Sequence, residues 1–181
     1  MMKEVPLYVQ CSYGAGATEE NTFIKIEPST ITISGDTSVV SSINRIDVAT
    51  IDLTDFALTL QDTYAITLPN GVENVTGITE AKVTIEIQGV STKQVTATNF
   101  SYMGLPDRYS VEEIITQSLE VKVRGTQEVL DQIQSSNIRV VADLSEISQT
   151  GIMYVPVRVI VDGFTDAGAV GDYMIAIKIR I

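Results

Sequence analysis

An internal duplication constrains this chain more than any other feature of its sequence. Two stretches, Ile31 to Leu53 and Val121 to Leu144, each contain a strand pattern, a glycine, a polar residue, a short helix pattern and a second strand pattern. The glycines that end the first strand patterns, Gly35 and Gly125, lie 90 positions apart. The apolar positions of the helix patterns agree while nearly all polar positions differ, which indicates duplication followed by divergence of the surface.

The period of the duplication sets the predicted domain organisation. Solenoid repeats are roughly 20 to 50 residues long, whereas a unit of about 90 residues can bury a modest core of its own. The sequence therefore predicts two tandem domains, residues 1–90 and 91–181. We expect the joint around Gln88 to Thr92, where a glycine and small polar residues separate the strand patterns of the two copies.

Apolar and polar residues alternate with a period of two in several segments, which is typical of half-buried β-strands. Lys3 to Cys11 and Ala81 to Ile87 show this pattern most clearly. Pro6 predicts that the first of them is an edge strand, since proline donates no ladder hydrogen bond. Val111 to Ile115 fits a strand or a short helix, and we predict a strand because Pro28 lies at the matching place in the first copy. The predicted fold is mainly β.

Each copy also contains the pattern of one short helix directly after the strand-ending glycine. Asp36 and Thr126 are predicted N-caps, whose side chains would accept a hydrogen bond from a backbone N–H of the first turn. The apolar residues at helical spacing predict one buried face in each copy. These residues are Val39, Val40 and Ile43 in the first copy and Val129, Leu130 and Ile133 in the second.

The charge of the chain argues against one class of partner. It has 12 Lys and Arg against 23 Asp and Glu, for a formal net charge of −11, and no segment gathers the basic residues. Nucleic-acid binding is not predicted, because it requires a basic surface. No run approaches the roughly 18 apolar residues of a membrane-spanning helix. We expect the chain as it stands to be soluble, with any membrane anchor outside it.

Few residues of this chain could carry chemistry. It has no histidine, which removes the commonest general base and metal ligand. Cys11, the single cysteine, lies in a strand pattern and is predicted to be a small core residue rather than a nucleophile. Gly14 and Gly16 lie in a polar loop that lacks the lysine and third glycine of a phosphate loop. We predict no enzyme, and no catalytic, cofactor-binding or metal-binding residue.

Four carboxylates recur at equivalent places in the two copies, namely Asp52, Asp55, Asp143 and Glu146. Paired carboxylates can support glycoside hydrolysis or bind calcium. A catalytic pair is usually built once, whereas a repeated aspartate more often accepts hydrogen bonds from the turn that follows its strand. We therefore predict a structural role, and a calcium-binding carboxylate cluster is the alternative that would favour an enzymatic function.

The second copy resembles a YbbR-like repeat from Lys93 to Ile181. The resemblance is carried by VKVRGTQEVLDQI, by IRVVADLS, by Gly151 before a strand pattern, and by the Asp162-Gly163 turn before IAIKIRI. GLPDRYSV is similar to the Leu-Pro and Tyr segment that precedes these motifs in many such repeats. The first copy is more divergent, since it lacks the Leu-Pro segment and has TIDLTDF where the second has VADLSEI.

The resemblance implies a function that the residues alone do not. Proteins of this family typically carry several repeats outside the membrane, behind one N-terminal transmembrane helix, mostly in Gram-positive bacteria. The best understood kind regulates a membrane-bound diadenylate cyclase, which makes cyclic di-AMP. The resemblance thus implies a non-catalytic, membrane-anchored, extracytoplasmic interaction module without a cofactor. Its partners would be the cyclase, other YbbR-like repeats or components of the cell envelope. A passive spacer or wall-associated binding repeat is the alternative function.

Overall fold

The computed structural model describes all residues from Met1 to Ile181, and they form two compact units. Unit 1 contains Met1–Tyr13, Thr18–Leu53 and Leu58–Gln88. Unit 2 contains Gly89–Ile181 together with two short loop segments, Gly14–Ala17 and Thr54–Ala57. The predicted division into domains 1–90 and 91–181 stays a prediction about separately folding pieces, because compactness does not test independent folding.

Unit 1 is built from strands with one helical turn. Its elements are β1 (Met2–Ser12), β2 (Thr22–Glu27), β3 (Thr30–Gly35), α1 (Thr37–Val40), β4 (Ile46–Asp52), β5 (Thr59–Ala65), β6 (Val72–Asn74) and β7 (Glu80–Ile87). A four-stranded sheet has the order β4-β1-β3-β6, and a three-stranded sheet has the order β2-β7-β5. The mainly β fold with one short helix is therefore confirmed for the first copy.

β1 changes its partner half-way along its length. Met2 to Pro6 pairs antiparallel with β3, and Leu7 to Ser12 pairs parallel with β4. Each half of β1 therefore has a partner strand on one side only, and the edge position predicted from Pro6 is confirmed at Pro6 itself, which pairs only with Thr30 of β3. Pro6 is tolerated there because it is the last residue of the first ladder, where the missing N–H interrupts neither ladder.

Unit 2 repeats this plan with some differences, since two strands replace β1 and a 3-10 turn is added. Its elements are β8 (Ser91–Ala97), β9 (Asn99–Met103), β10 (Ser110–Ile114), β11 (Leu119–Gly125), α2 (Gln127–Leu130), a 3-10 turn (Ser135–Asn137), β12 (Ile138–Asp143), β13 (Gly151–Val161), β14 (Gly168–Val170) and β15 (Tyr173–Arg180). β13 is longer than its counterpart β5 and pairs with both β15 and β12. As a result, five strands form one sheet in the order β10-β15-β13-β12-β9, beside a three-stranded sheet β14-β11-β8.

The two helical turns begin where the sequence predicts but are capped differently. The Thr126 hydroxyl accepts a hydrogen bond from the Val129 N–H at 3.4 Å, which confirms this cap. The Asp36 side chain makes no capping hydrogen bond, so the predicted carboxylate cap is wrong. The N–H groups of Val39 and Val40 instead donate to the Asp36 backbone carbonyl, at 3.0 and 2.9 Å.

Each unit has its own apolar core, formed by the inward residues of its strands and by the helical turn. Val40 of the first copy and Leu130 and Ile133 of the second are fully buried, as predicted. Val39 is 36% exposed, so its predicted burial is wrong, because a single helical turn buries only part of the predicted face. The core of unit 1 comprises Val5, Leu7, Ile31, Ile33, Val40, Ile46 and Ala81. The larger core of unit 2 includes Val121, Val123, Leu130, Ile133, Ile138, Val140, Ile175 and Ile177.

Candidate interaction surface

The outer face of the five-stranded sheet in unit 2 carries exposed apolar side chains. Val155 of β13 faces the core, so Ile152, Tyr154 and Pro156 point to the opposite side of the sheet. Met174 of β15 lies beside Pro156 in the strand register. Tyr154 is 72% and Ile152 65% exposed. We name these four outward residues, Ile152, Tyr154, Pro156 and Met174, the apolar strip.

The matching positions of β5 in unit 1 are polar, although Phe23 of β2 is exposed on the same face. β7 matches β15 with an offset of 92 positions, so the strand registers identify which β5 residues match the apolar strip. Thr59, Gln61 and Thr63 of β5 occupy the places of Ile152, Tyr154 and Pro156. The same ladder therefore forms with polar outer residues, and the fold does not require apolar ones there. Contiguous exposed apolar side chains are typical of interaction sites.

Charged groups surround the apolar strip. Lys178 of β15 forms an exposed ion pair with Glu112, with 3.5 Å between Nζ and Oε2. Asp143, at the end of β12, borders a shallow pocket of about 340 Å³ together with Glu146, Tyr154 and Pro156. The hydroxyl and the backbone N–H of Ser145 hydrogen-bond to the Asp143 carboxylate and hold its pKa below the ordinary aspartate value. This rim therefore keeps a negative charge beside the strip at neutral pH.

Unit 2 also contains a buried arginine that the sequence did not single out. Arg124, the residue before Gly125, is fully buried. Its guanidinium donates four hydrogen bonds of 2.8 to 2.9 Å to backbone carbonyls. Nε donates to Ala15 and Nη2 to Gly14, while Nη1 donates to both Phe56 and Ala57.

These four carbonyls belong to the two loop segments Gly14–Ala17 and Thr54–Ala57, which we name the first loop pair. A buried cation is costly unless its hydrogen-bond donors are satisfied, and the planar guanidinium can reach several acceptors at once. Glycines allow the close approach, because a Cβ on Gly16 would lie 3.2 Å from the Gly125 Cα. The first loop pair is thus shaped to bind an arginine through backbone carbonyls.

The recurring carboxylates are placed in different surroundings. Asp143 accepts a hydrogen bond from the Ser145 N–H at 3.0 Å, which is the turn contact predicted for it. Glu146 is exposed beside the same pocket. Asp55 borders a different pocket of unit 2, of about 290 Å³, together with Lys122 and Tyr173. Asp52 ends β4 of unit 1.

Cys11 lies near the end of β1, opposite Ile51 of β4. It is partly buried rather than a fully buried core residue. Burial raises the pKa of the Cys11 thiol. A raised pKa lowers the thiolate fraction at neutral pH and makes the thiol a poorer nucleophile.

The sequence alone also did not reveal a lysine contact that occurs in both units. The Lys3 Nζ donates to the Ile43 carbonyl at 2.6 Å, and the Lys93 Nζ donates to the Ile133 carbonyl at 2.7 Å. Lys93 contacts the Leu130 carbonyl as well, at 3.0 Å. Both lysines thus satisfy carbonyls just after the helical turn. Their spacing of 90 residues, the same as that of Gly35 and Gly125, is the signal that could have revealed the shared role.

No group of three or more Cys, Asp or Glu side chains lies close enough together to hold a metal ion. None of the helices has the length and apolar character needed to cross a membrane.

The family model described as YbbR-like protein matches residues 21–88 and 101–165. A YbbR-like protein of known structure from Streptococcus pneumoniae is 18% identical in sequence. The match covers 99% of this chain and 95% of the pneumococcal chain, with a TM-score of 0.36. SuR18C from Streptococcus thermophilus is 17% identical in sequence. The match covers 48% of this chain and 83% of SuR18C, with a TM-score of 0.39. No curated protein matches the chain.

The match to the family model shows the family of this chain. The two matched segments include one from each copy of the duplication, and together they cover more than half of the chain. They contain both helical turns and both strand-ending glycines that carry the internal repeat. The chain therefore belongs to the YbbR-like protein family and consists of two such repeats.

Proposed function

We propose that this chain is a non-catalytic interaction module that works outside the cytoplasm and regulates a membrane-bound diadenylate cyclase. Membership of the YbbR-like family supports the coarser part of the proposal, a binding module of this kind. The regulation of the cyclase, the extracytoplasmic location and the membrane anchor come from the resemblance of the repeats to the best understood kind of YbbR-like protein.

The observation that carries the proposal is the apolar strip on unit 2. Apolar side chains that stay in water forgo about 25 cal/mol for each square ångström that a partner could cover. The centre of a protein interface is typically apolar and aromatic with a polar rim. The strip has this composition, with Tyr154 at its middle and the Lys178–Glu112 pair and Asp143 around it. The matching positions of β5 in unit 1 carry polar side chains instead.

Co-purification of the intact protein with its cyclase tests this proposal. A triple variant with Ile152→Thr, Tyr154→Gln and Pro156→Thr gives β13 the outer residues of β5. We expect this variant to lose association with the cyclase and to change cellular cyclic di-AMP as a deletion does. Its urea unfolding midpoint should stay near that of the parent, since exposed substitutions usually change stability by about 0.5 kcal/mol or less each.

A matched variant controls for surface changes in general. Replacing Thr59, Gln61 and Thr63 by alanine alters the equivalent face of unit 1, and we expect association and cyclic di-AMP to stay unchanged. Absence of association for the intact protein, with cyclic di-AMP unaffected by deletion, would refute regulation of the cyclase.

A passive spacer or wall-associated repeat is the second candidate, and the edge strand β9 favours it. β9 is the last strand of the five-stranded sheet and exposes Tyr102 and Met103 at 47% and 60%. Unpaired edges can add a strand from another chain. This function predicts self-association or retention on wall polysaccharide, with cyclic di-AMP unchanged when the gene is deleted.

A further inference from the structure

The open side of β9 carries unpaired backbone groups. β9 is the last strand of the five-stranded sheet, and its ladder partner there is β12. The Met103 carbonyl accepts a hydrogen bond from the Leu144 N–H, so Met103 directs its backbone groups towards β12. Because these directions alternate along a strand, Phe100 and Tyr102 direct their N–H and carbonyl groups to the open side. These are the groups that an added strand would bind.

β9 lacks features that commonly protect an edge strand. The opposite edge strand of the same sheet, β10, has a bulge in its ladder and carries Glu112 and Glu113. In unit 1, the ladder of the Leu7–Ser12 half of β1 is shifted between Tyr8 and Val9. The register of β9 is regular, and its sequence NFSYM is uncharged. Bulges and charges discourage pairing between edges, so β9 is more open to another strand than these two edges are.

The backbone of β9 is suited to antiparallel pairing with itself. With a two-fold axis at Ser101, Phe100 of one copy lies opposite Tyr102 of the second copy. These two residues have the free backbone groups, so they can exchange both N–H to carbonyl hydrogen bonds. The axis creates the same pair again on its other side. Gly104, with a φ of +75°, ends the strand and limits the pairing to Asn99–Met103.

The side chains also match in this register. Phe100 packs against the core of unit 2, and Tyr102 lies on the same face of β9 because side chains alternate. Across the new ladder their rings form an aromatic cross-strand pair, which stabilises antiparallel sheets. On the outer face, Met103 lies opposite Asn99, and Ser101 lies opposite itself. No like charges meet at this contact, although the chain as a whole has a formal net charge of −11.

We propose that β9 pairs with β9 of a second copy of this chain, antiparallel about Ser101, so that the five-stranded sheets of the two copies join. The contact is isologous and therefore closes as a dimer. This proposal rests on the self-association expected of the second candidate function, and it requires neither the cyclase nor wall polymer. The ladder is short and small interfaces are weak, so the dimer should exchange with the monomer.

Charge at Ser101 tests the pairing, because this residue faces its own copy across the axis. Ser101→Lys and Ser101→Glu each place two like charges opposite each other, which destabilises a cross-strand pair. We expect each variant alone to dimerise about fivefold or more weakly than the parent in sedimentation equilibrium. An equimolar mixture of the two variants should recover dimerisation, because opposite charges then meet.

Gln10→Lys and Gln10→Glu are the matched controls. Gln10 is exposed, as Ser101 is, and takes the place of Ser101 in β1 of unit 1. These variants change the net charge by the same amount and should leave the dimer unchanged. Circular dichroism of all four variants should match that of the parent.

Tyr102→Pro blocks the same edge without adding charge. Proline lacks the N–H that Tyr102 directs to the open side, and the ladder with β12 loses no hydrogen bond. We expect this variant to fold as the parent does and to dimerise more weakly. It provides an independent test if the charged variants do not fold.

Hydrogen exchange measured by NMR identifies the strand that pairs. Raising the protein concentration should slow exchange of the Phe100 and Tyr102 amide protons, because they become hydrogen-bonded in the dimer. The Ser101 amide proton already points towards β12 and should change little.

Three outcomes would overturn the pairing. The first is a parent chain that stays monomeric at millimolar concentration, whereas retention on wall polysaccharide would still support the second candidate function. The second is a dimer that the folded Ser101 and Tyr102 variants leave intact, which would place self-association on another surface. The third is exchange at Phe100 and Tyr102 that does not depend on concentration.

Discussion

At the scale of single residues, Arg124 stabilises unit 2 through contacts that its strand does not reveal. The four carbonyls it binds lie between 67 and 110 positions away in sequence. Removing the guanidinium leaves those carbonyls without their charged donor in a buried place, and this costs more than an exposed hydrogen bond would.

We predict that Arg124→Met lowers the free energy of unfolding by about 3 kcal/mol, because the side chain keeps its approximate volume but leaves the buried carbonyls without a donor. Arg124→Lys should also destabilise, since a single ammonium group cannot reach the carbonyls of both loops. Urea unfolding followed by circular dichroism measures both. Arg158→Met, on the exposed outer face of β13, is the control and should stay within about 0.5 kcal/mol. Equal midpoints for Arg124→Met and the parent would contradict this account.

Asp143 gives a pH-dependent prediction at the same scale. Its hydrogen bonds from Ser145 lower the pKa of the folded-state carboxyl, so this stabilisation is complete above the ordinary aspartate pKa. It is lost as the pH falls through the lower folded-state value. The difference in urea midpoint between the parent and Asp143→Asn should therefore be constant near neutrality and shrink in acid.

The Ser145→Ala variant tests whether the Ser145 hydroxyl lowers the pKa of Asp143. It removes the hydroxyl contact, so the Asp143 pKa, followed by NMR of the carboxyl carbon, should rise towards the ordinary value. An unchanged Asp143 pKa in this variant would show that the hydroxyl is not the main cause.

At the scale of elements, the helical turns show how far the repeat pattern reaches. Their positions, and the burial of Val40, Leu130 and Ile133, followed from the periodicity of the sequence. The cap at Asp36 and the burial of Val39 did not follow, although α2, which is also four residues long, has its predicted cap at Thr126. The long β13, which joins five strands into one sheet, was also not predicted, since no local pattern states which strands pair.

The N-cap residues Asp36 and Thr126 should contribute differently to stability, because only the Thr126 side chain makes a capping hydrogen bond. Thr126→Ala removes the side-chain hydrogen bond to the Val129 N–H and should destabilise by about 1 kcal/mol. Asp36→Ala removes a side chain that makes no such bond and should cost clearly less. Urea midpoints of the two variants measured in parallel test this, and a larger loss for Asp36→Ala would contradict it.

At the scale of the whole molecule, the duplication was predictable and the surfaces were not. Apolar positions spaced 90 residues apart predict two copies of one fold, because both copies must fill similar cores. The apolar strip escaped prediction because Ile152, Tyr154 and Pro156 alternate with β13 residues that are equally apolar, so period-two reasoning could not tell the faces apart. The first loop pair escaped because its acceptors are backbone carbonyls, which every residue has.

The change of partner along β1 has a consequence for the speed of folding. Its parallel ladder with β4 joins Val9 to Ala49, and β9 repeats the arrangement with β12, joining Phe100 to Val140. Each ladder closes a loop of 40 residues, and loop closure must precede the contacts that reward it. Both units should therefore fold in milliseconds to seconds rather than microseconds. Before each parallel ladder closes, β9 and the Leu7–Ser12 half of β1 have no partner strand, and that interval is when the chain is most exposed to aggregation.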